Sequence, residues 1–225
     1  MKILLIETAT RVCSAAMAVD GTVTMLRECA DADAHSTRLP LFLKEITDAQ
    51  RPDAVCVSAG PGSYTGLRIG VSSAKGLCYG YGIPLLSVPT LLSMAARYYA
   101  QHADYNGLVC PMIDARRMEC YTMVVDRELN ILRDTQAEVI VEGCYDQWLD
   151  RGEVMFIGDG AAKTRPLLDG HPNARYDDTF TVSADGMAGL AEQRLAARQV
   201  EDVAYFEPFY LKDFVAKKSV VHGLR

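Results

Sequence analysis

Apolar residues crowd residues 2–7 (Ile3, Leu4, Leu5, Ile6) and return in runs at residues 14–19, 22–28 and 54–58, which predicts four strands in the first quarter of the chain, the last of them buried. Asp20-Gly21 between two such runs is a tight-hairpin signal. From residue 36 the period changes: Leu39, Phe42, Leu43 and Ile46 recur at helical spacing and predict a helix over 36–50. Further helices are expected over 63–79 and, after Pro84 and Pro89, over 90–101, with a lobe boundary at 102–107. The second half reads as strands at 108–114, 119–125, 131–141 and 154–157, the last closed by the turn Gly158-Asp159-Gly160, then a helix capped by Ser183 and running to about residue 198. No repeat or low-complexity stretch interrupts this order, and pattern alone specifies an α/β protein.

Between the buried strand at 54–58 and the following helix lies Ser58-Ala59-Gly60-Pro61-Gly62-Ser63-Tyr64-Thr65-Gly66-Leu67-Arg68-Ile69-Gly70. Glycines that accept unusual backbone angles, a proline that fixes its own and a helix start make a rigid turn with outward amide donors, suited to an anion or another chain. Gly60, Pro61, Gly62, Ser63, Thr65, Gly66 and Arg68 are therefore candidate functional residues. A Walker A loop is excluded, because Gly66-Leu67-Arg68 stands where Gly-Lys-Ser/Thr is needed. A serine-hydrolase elbow is excluded by the lack of Gly-x-Ser-x-Gly in this loop.

With 225 residues, 49% of them hydrophobic, the chain can bury a sizeable core as one large domain or two lobes. Its apolar runs fall short of the roughly 20 residues that span a bilayer, and the first of them meets Glu7 too soon for a signal peptide, so a cytoplasmic protein without membrane contact is expected. Seven scattered cysteines without a Cys-x-x-Cys pair read as small core residues rather than a zinc site or disulfide framework. A formal net charge of -6 opposes strong unaided binding to nucleic acid. The basic pairs Arg116-Arg117 and Lys217-Lys218 and the terminal Arg225 are small; the first pair reads as solvated surface, and the tail is left to an RNA or protein contact.

The segment from Lys2-Ile3-Leu4-Leu5-Ile6-Glu7-Thr8-Ala9-Thr10 through the glycine loop to Val88-Pro89-Thr90-Leu91 closely resembles the TsaB (YeaZ) family, as do Ile113-Asp114-Ala115-Arg116-Arg117-Met118-Glu119-Cys120-Tyr121 and Glu207-Pro208-Phe209-Tyr210-Leu211. The resemblance is nearly full length, weakest between about 125 and 200. It implies the two-lobe fold of actin, sugar kinases and Hsp70 (the ASKHA fold) with a reduced second lobe, divided as residues 1–105 and 106–225. It implies a catalytically inactive subunit of the machinery that places threonylcarbamoyl on the tRNA adenosine next to the anticodon. Partners would be a TsaD-like catalytic subunit, a TsaE-like ATPase, and tRNA through the complex; no intrinsic cofactor or metal is implied, ATP or ADP is left to a subunit boundary, and a homodimer of the free chain stays open. The two N-terminal helices would pair with those of TsaD or of a second copy, nominating Leu39, Phe42, Leu43, Ile46, Gly66, Leu67, Gly70, Val71, Ala74 and Leu77 as interface. On spacing alone, the Gly66, Gly70, Ala74 stripe serves equally well to pack on the chain's own sheet. The link at 47–53 is shorter than is usual in that family, so a first helix cut short at its end is expected.

In kinases of this superfamily two hairpins hold phosphate. Here Glu7-Thr8-Ala9-Thr10 and Asp114-Ala115-Arg116-Arg117 stand in their places, the second without the usual glycine, and Glu7, Thr8, Asp114 and Arg116 are nominated for the groove between lobes. Asp114 and Arg116 are expected to tie the lobe junction by local hydrogen bonds, and Gly158-Asp159-Gly160 is either a strand-ending turn or a remnant adenosine loop. Catalytic TsaD relatives carry His-x-x-x-His after the glycine-loop helix; aligned from that loop, Thr90 and Met94 occupy those positions, and His35, His102, His171 and His222 include no pair spaced to replace it. His35 itself reads as a cap or surface hydrogen-bonding group. Two other functions compete: a small ATP-dependent phosphotransferase or glycoprotease-like hydrolase, and a self-associating scaffold.

Overall fold

The computed structural model describes residues 1–31 and 33–212, so Lys217, Lys218, His222 and Arg225 lie outside the described residues. Strand β1 (Lys2–Glu7) pairs antiparallel with β2 (Cys13–Val19), which pairs antiparallel with β3 (Thr22–Cys29). Helices α1 (Ala34–Thr37) and α2 (Leu39–Ala49) follow. The expected single helix is thus broken at Arg38, beside Pro40, whose missing N–H is tolerated only in a first helical turn. Strand β4 (Ala54–Ser58) runs parallel to β1, helix α3 (Tyr64–Tyr81) leads to β5 (Leu85–Val88) parallel to β4, and helix α4 (Thr90–Gln101) ends the first half. The sheet order is β3-β2-β1-β4-β5.

The second half repeats this plan. Strands β6 (Leu108–Asp114), β7 (Glu119–Val125) and β8 (Ile131–Val139) form an antiparallel meander. A single turn, α5 (Asp146–Leu149), leads to β9 (Val154–Ile157), parallel to β6; a 3-10 turn and α6 (Arg165–Leu168) lead to β10 (Ala174–Asp177), parallel to β9. A second 3-10 turn (Ala184–Met187) and α7 (Ala188–Ala196) close it. The order β10-β9-β6-β7-β8 matches the first sheet strand for strand. The reduction of the second lobe lies in its helices: where α2 has 11 residues and α3 has 18, α5 and α6 have 4 each. This duplicated sheet is the ASKHA fold.

Apolar residues at successive positions of β1 supply both faces of the first sheet. Leu4 and Ile6 join Val55, Val57, Leu39, Ile46, Val71 and Ala74 under α2 and α3, whereas Ile3 and Leu5 join Cys56, Leu86, Met187 and Ala191 under α7. The helix ending each half covers the other half's sheet: α4 places Leu91, Met94 and Tyr98 against Val109, Ile113 and Met123 of the second sheet. The assignment of all residues from 106 onward to a second lobe is corrected by this packing. From Ala184 the chain lies on the first sheet, Glu201 bridges to Leu85, and Val203 and Phe206 join the first core. Ser183 is buried and caps no helix with its side chain; its Oγ donates to Glu28 at 2.7 Å and lies 3.2 Å from Ser14 Oγ. Five of the seven cysteines are buried, and Cys29 and Cys144 are half-buried.

Candidate functional site

Parallel strands β1 and β4 of one half, and β6 and β9 of the other, end at a common cleft of about 770 Å³. In sheets of this kind a ligand lies outside the carboxyl ends of the parallel strands. One side is built by the turn after β1, which carries Arg11, and by the loop after β4; the other by the turn after β6, which carries Arg116 and Arg117, and by Asp159 after β9. The two sides are equivalent by the internal duplication.

The glycine loop is held from three directions. Ser63 N donates to Ala9 O at 2.6 Å, Gly60 N donates to Thr90 Oγ1 at 3.1 Å, and Phe209 N donates to Ala59 O at 2.7 Å. Gly60 has φ 107°, and a Cβ there would lie 2.7 Å from Phe209 O, so glycine is required. Ser63 caps α3, its Oγ accepting from Gly66 N at 3.3 Å. Pro61, Gly62, Ser63 and Thr65 line the cleft; Gly60 and Gly66 are buried beneath it, and Arg68 lies outside it, over the Tyr64 ring at 4.6 Å.

Of the four residues nominated for the groove, Asp114 and Arg116 line it, whereas Glu7 and Thr8 do not and are fully buried. Glu7 Oε1 accepts from Ala9 N at 2.6 Å and from Ser58 Oγ at 3.0 Å; its Oε2 has no hydrogen-bond partner among the described residues. Burial, only partly offset by those donors, pushes its carboxyl up to about 7. Desolvation raises the Asp114 carboxyl too, but the Lys163 ammonium and the Arg116 amide at 2.8 Å outweigh it and hold it below the usual range. Asp159 Oδ1 accepts from Asp114 N at 2.9 Å, which ties the Gly158-Asp159-Gly160 turn to the cleft wall. Arg116 and Arg117 have φ 74° and 52°, a left-handed region that costs a residue with a side chain about 1 kcal/mol. Both are exposed at the cleft rather than spread on open surface. His35 caps nothing: α1 has Asp33 at its N-cap, and the imidazole lines the cleft with Nε2 buried and without a partner among the described residues.

The nominated helix interface is taken up inside the chain. Leu39, Leu43, Ile46, Gly66, Leu67, Gly70, Val71 and Ala74 are buried, and Phe42 and Leu77 pack half-buried against the same core. A Cβ on Gly66 would lie 2.1 Å from Thr8 O, and one on Gly70 would lie 2.2 Å from Thr8 Oγ1, so Thr8 fills the small-residue stripe. The outward faces of the two helices carry other residues: Leu41 is 57% exposed, Tyr79 is 88% exposed, and a Cβ on Gly76 or Gly80 would meet nothing within 4 Å. Helix α2 runs to Ala49, one residue short of the expected end.

Sequence reasoning missed Arg11 and the C-terminal wall of the cleft. Phe209, Tyr210 and Lys212 run from the glycine loop, where the Tyr210 and Tyr64 ring centroids lie 4.8 Å apart, to the second lobe, where Lys212 pairs with Glu119.

The duplicated sheets and the cleft at their strand ends define a protein of the ASKHA class. A family model described as TsaD: tRNA N6-adenosine threonylcarbamoyltransferase matches residues 30–220. The chain is 30% identical over 230 residues to the tRNA threonylcarbamoyladenosine biosynthesis protein TsaB of Escherichia coli K12, covering 98% of both chains. It is 33% identical over 235 residues to the protein of that name from Haemophilus influenzae, covering 98% of this chain and 97% of that one. Among solved structures, YeaZ from Pseudomonas aeruginosa superposes with a TM-score of 0.81 at 24% identity, over 93% of this chain and 99% of that one. The chain belongs to the TsaB (YeaZ) family.

Proposed function

We propose that the protein is a non-catalytic subunit of the tRNA threonylcarbamoyladenosine complex, which binds and activates a TsaD-like catalytic subunit. End-to-end similarity to two proteins named for that biosynthesis carries the reading. The interior supports it: where the aligned catalytic relatives carry their histidine pair, Thr90 is fully buried and accepts from Gly60 N, and Met94 is packed in the core. The Met94 thioether is too soft for a hard divalent cation, the Thr90 hydroxyl is engaged by Gly60 N, and neither side chain lines the cleft. The threonylcarbamoyl transfer then takes place on the partner, and this chain contributes association energy, favouring the partner's active conformation by binding it more tightly. A TsaE-like ATPase docks on the assembled pair, tRNA is held through the complex, and ATP or ADP acts at a subunit boundary.

The outward faces of α2 and α3, with Leu41 and Tyr79 exposed beside Gly76 and Gly80, form the docking surface in this reading. Reconstitution of tRNA threonylcarbamoylation from the cognate TsaD, TsaE and adenylate-forming enzyme tests it. Modification is expected only when this chain is added, with none from the chain alone. Modification at the same rate without the chain would remove the reading in favour of a scaffold with no tRNA role.

A further inference from the structure

The first hairpin sets two cysteines face to face. In the β2–β3 ladder Cys13 stands directly opposite Cys29, so both side chains lie on one face of the sheet, and both join the core that holds Ala34 of α1 and Leu39 of α2. The other five cysteines meet no cysteine across a strand ladder, and three of them engage their thiols in hydrogen bonds: Cys78 to Pro84 O, Cys110 to Tyr145 Oη and Cys120 to Gly160 O. The Cys13 and Cys29 sulfurs make no hydrogen bond among the described residues. Opposed residues of an antiparallel pair have Cα atoms about 4.5–5.5 Å apart, inside the range of about 4.4–6.8 Å that a disulfide bridges. Their Cβ atoms must close by about 1 Å, and β3, the edge strand of its sheet, can yield that movement. Access to the two sulfurs differs: Cys13 is fully buried, whereas Cys29 is half-buried. Burial, with the Cys29 thiol and the Glu7 carboxyl nearby, pushes the Cys13 thiol up to about 12.

We propose that Cys13 and Cys29 form a reversible redox pair, closed to a cross-strand disulfide by a low-molecular-weight disulfide such as oxidised glutathione. The accessible Cys29 loses its proton to solvent and attacks one sulfur of the reagent; a Cys29–reagent disulfide forms, the S–S bond of the reagent breaks, and one thiol leaves. Cys13 then attacks Cys29 Sγ, its proton passes to the departing sulfur, and the second thiol leaves. Both cysteine sulfurs are oxidised, and the disulfide of the reagent is reduced to two thiols. The order follows from burial, because a buried, protonated thiol is a poor first nucleophile but is already in place for the second step. The segment before Cys13 carries Arg11 and the segment after Cys29 carries His35, both lining the cleft, so closure ties together two strands of that cleft wall. It also links the ends of residues 13–29 in the unfolded chain, which restricts that chain and favours the native state. The pair needs no partner chain and stands independently of any role in tRNA modification.

Incubation of the full chain in glutathione buffers of rising oxidised fraction, followed by alkylation of the remaining thiols and tryptic peptide mass mapping, tests the proposal. The oxidised chain is expected to yield peptide 12–27 joined to peptide 28–38, a product that dithiothreitol removes. It should also melt about 5 °C or more above the reduced chain. Cys29→Ser should abolish both the joined peptide and the thermal gain. Cys13→Ser should stop at Cys29 carrying one glutathione, because the second thiol is missing. Cys144→Ser, which removes the other half-buried cysteine, should match the parent. A joined peptide that forms only in denaturant, Cys29 linked to another cysteine or to a second chain, glutathione accumulating on Cys29 of the parent, or a melting temperature unchanged by closure would each overturn it. Mapping on the parent chain decides the pairing whether or not the variants fold.

Discussion

Glu7 holds its carboxyl in the centre of the first lobe with one oxygen bonded to Ala9 N and Ser58 Oγ and the other without a partner. Burial pushes that carboxyl up to about 7, above the ordinary 4.5, so between those values the native state keeps a proton that the unfolded chain has released. The stability from that proton is fully present below pH 4.5 and is lost as pH rises through about 7, an effect of about 3 kcal/mol. Denaturant unfolding between pH 5 and 8 should show the decline in the parent and a flatter profile in Glu7→Gln; equal declines would show that another group titrates. None of this was legible in the sequence, where Glu7 ends an apolar run and was expected at the groove. Strand alternation assigns a residue to a face, but whether a turn residue beside it lines a cleft or sits under one depends on the loop packed above. His35 shows the same limit: its place in the chain suggests a cap, and the fold turns it into the cleft.

Helix α3 carries two glycine sets with opposite surroundings. Gly66→Ala forces a Cβ to within 2.1 Å of Thr8 O, and overpacking of that kind outweighs the gain in helix propensity, for a net loss of about 2–3 kcal/mol. Gly76→Ala meets nothing and should raise stability by up to about 1 kcal/mol. Thermal or urea unfolding of the two variants reads the contrast, and similar effects for both would show that Thr8 does not fill the stripe. Tyr79→Asp, on the outward face, should leave the melting temperature unchanged yet weaken association with the TsaD-like subunit by at least about 10-fold, measured by analytical ultracentrifugation. Spacing shows which residues share a helix face; it does not show what the face meets, and so the sequence nominated the inward stripe. The elements themselves were far more legible, because strands buried on both faces leave unbroken apolar runs. Strand β5 escaped notice because its four residues lie between Pro84 and Pro89, and β10 because Ala-Arg-Tyr-Asp has no apolar run.

At the scale of the molecule, the two lobes are joined by exchange: α4 completes the second sheet and α7 completes the first. A fragment of residues 1–105 would leave Ile3, Leu5, Leu86 and Val88 uncovered on one face and α4 without its sheet. It should bind a hydrophobic dye and lack a cooperative melt, whereas a fragment that melts cooperatively would show that the first lobe stands alone. The two-lobe plan came from the family resemblance, because with β5 and β10 unseen the strand pattern did not reveal the repeat, and the exchange was not legible either, since a closing helix carries no mark of the sheet it will cover. The exchange also sets a clock on synthesis. When the ribosome has finished α4, the helix that shields the first sheet lies roughly ninety residues ahead, an interval on the order of 5–20 s at elongation rates of about 5–20 residues per second. Throughout that interval the nascent chain carries an open apolar sheet, the kind of surface that a chaperone at the ribosomal exit holds until the last helix arrives.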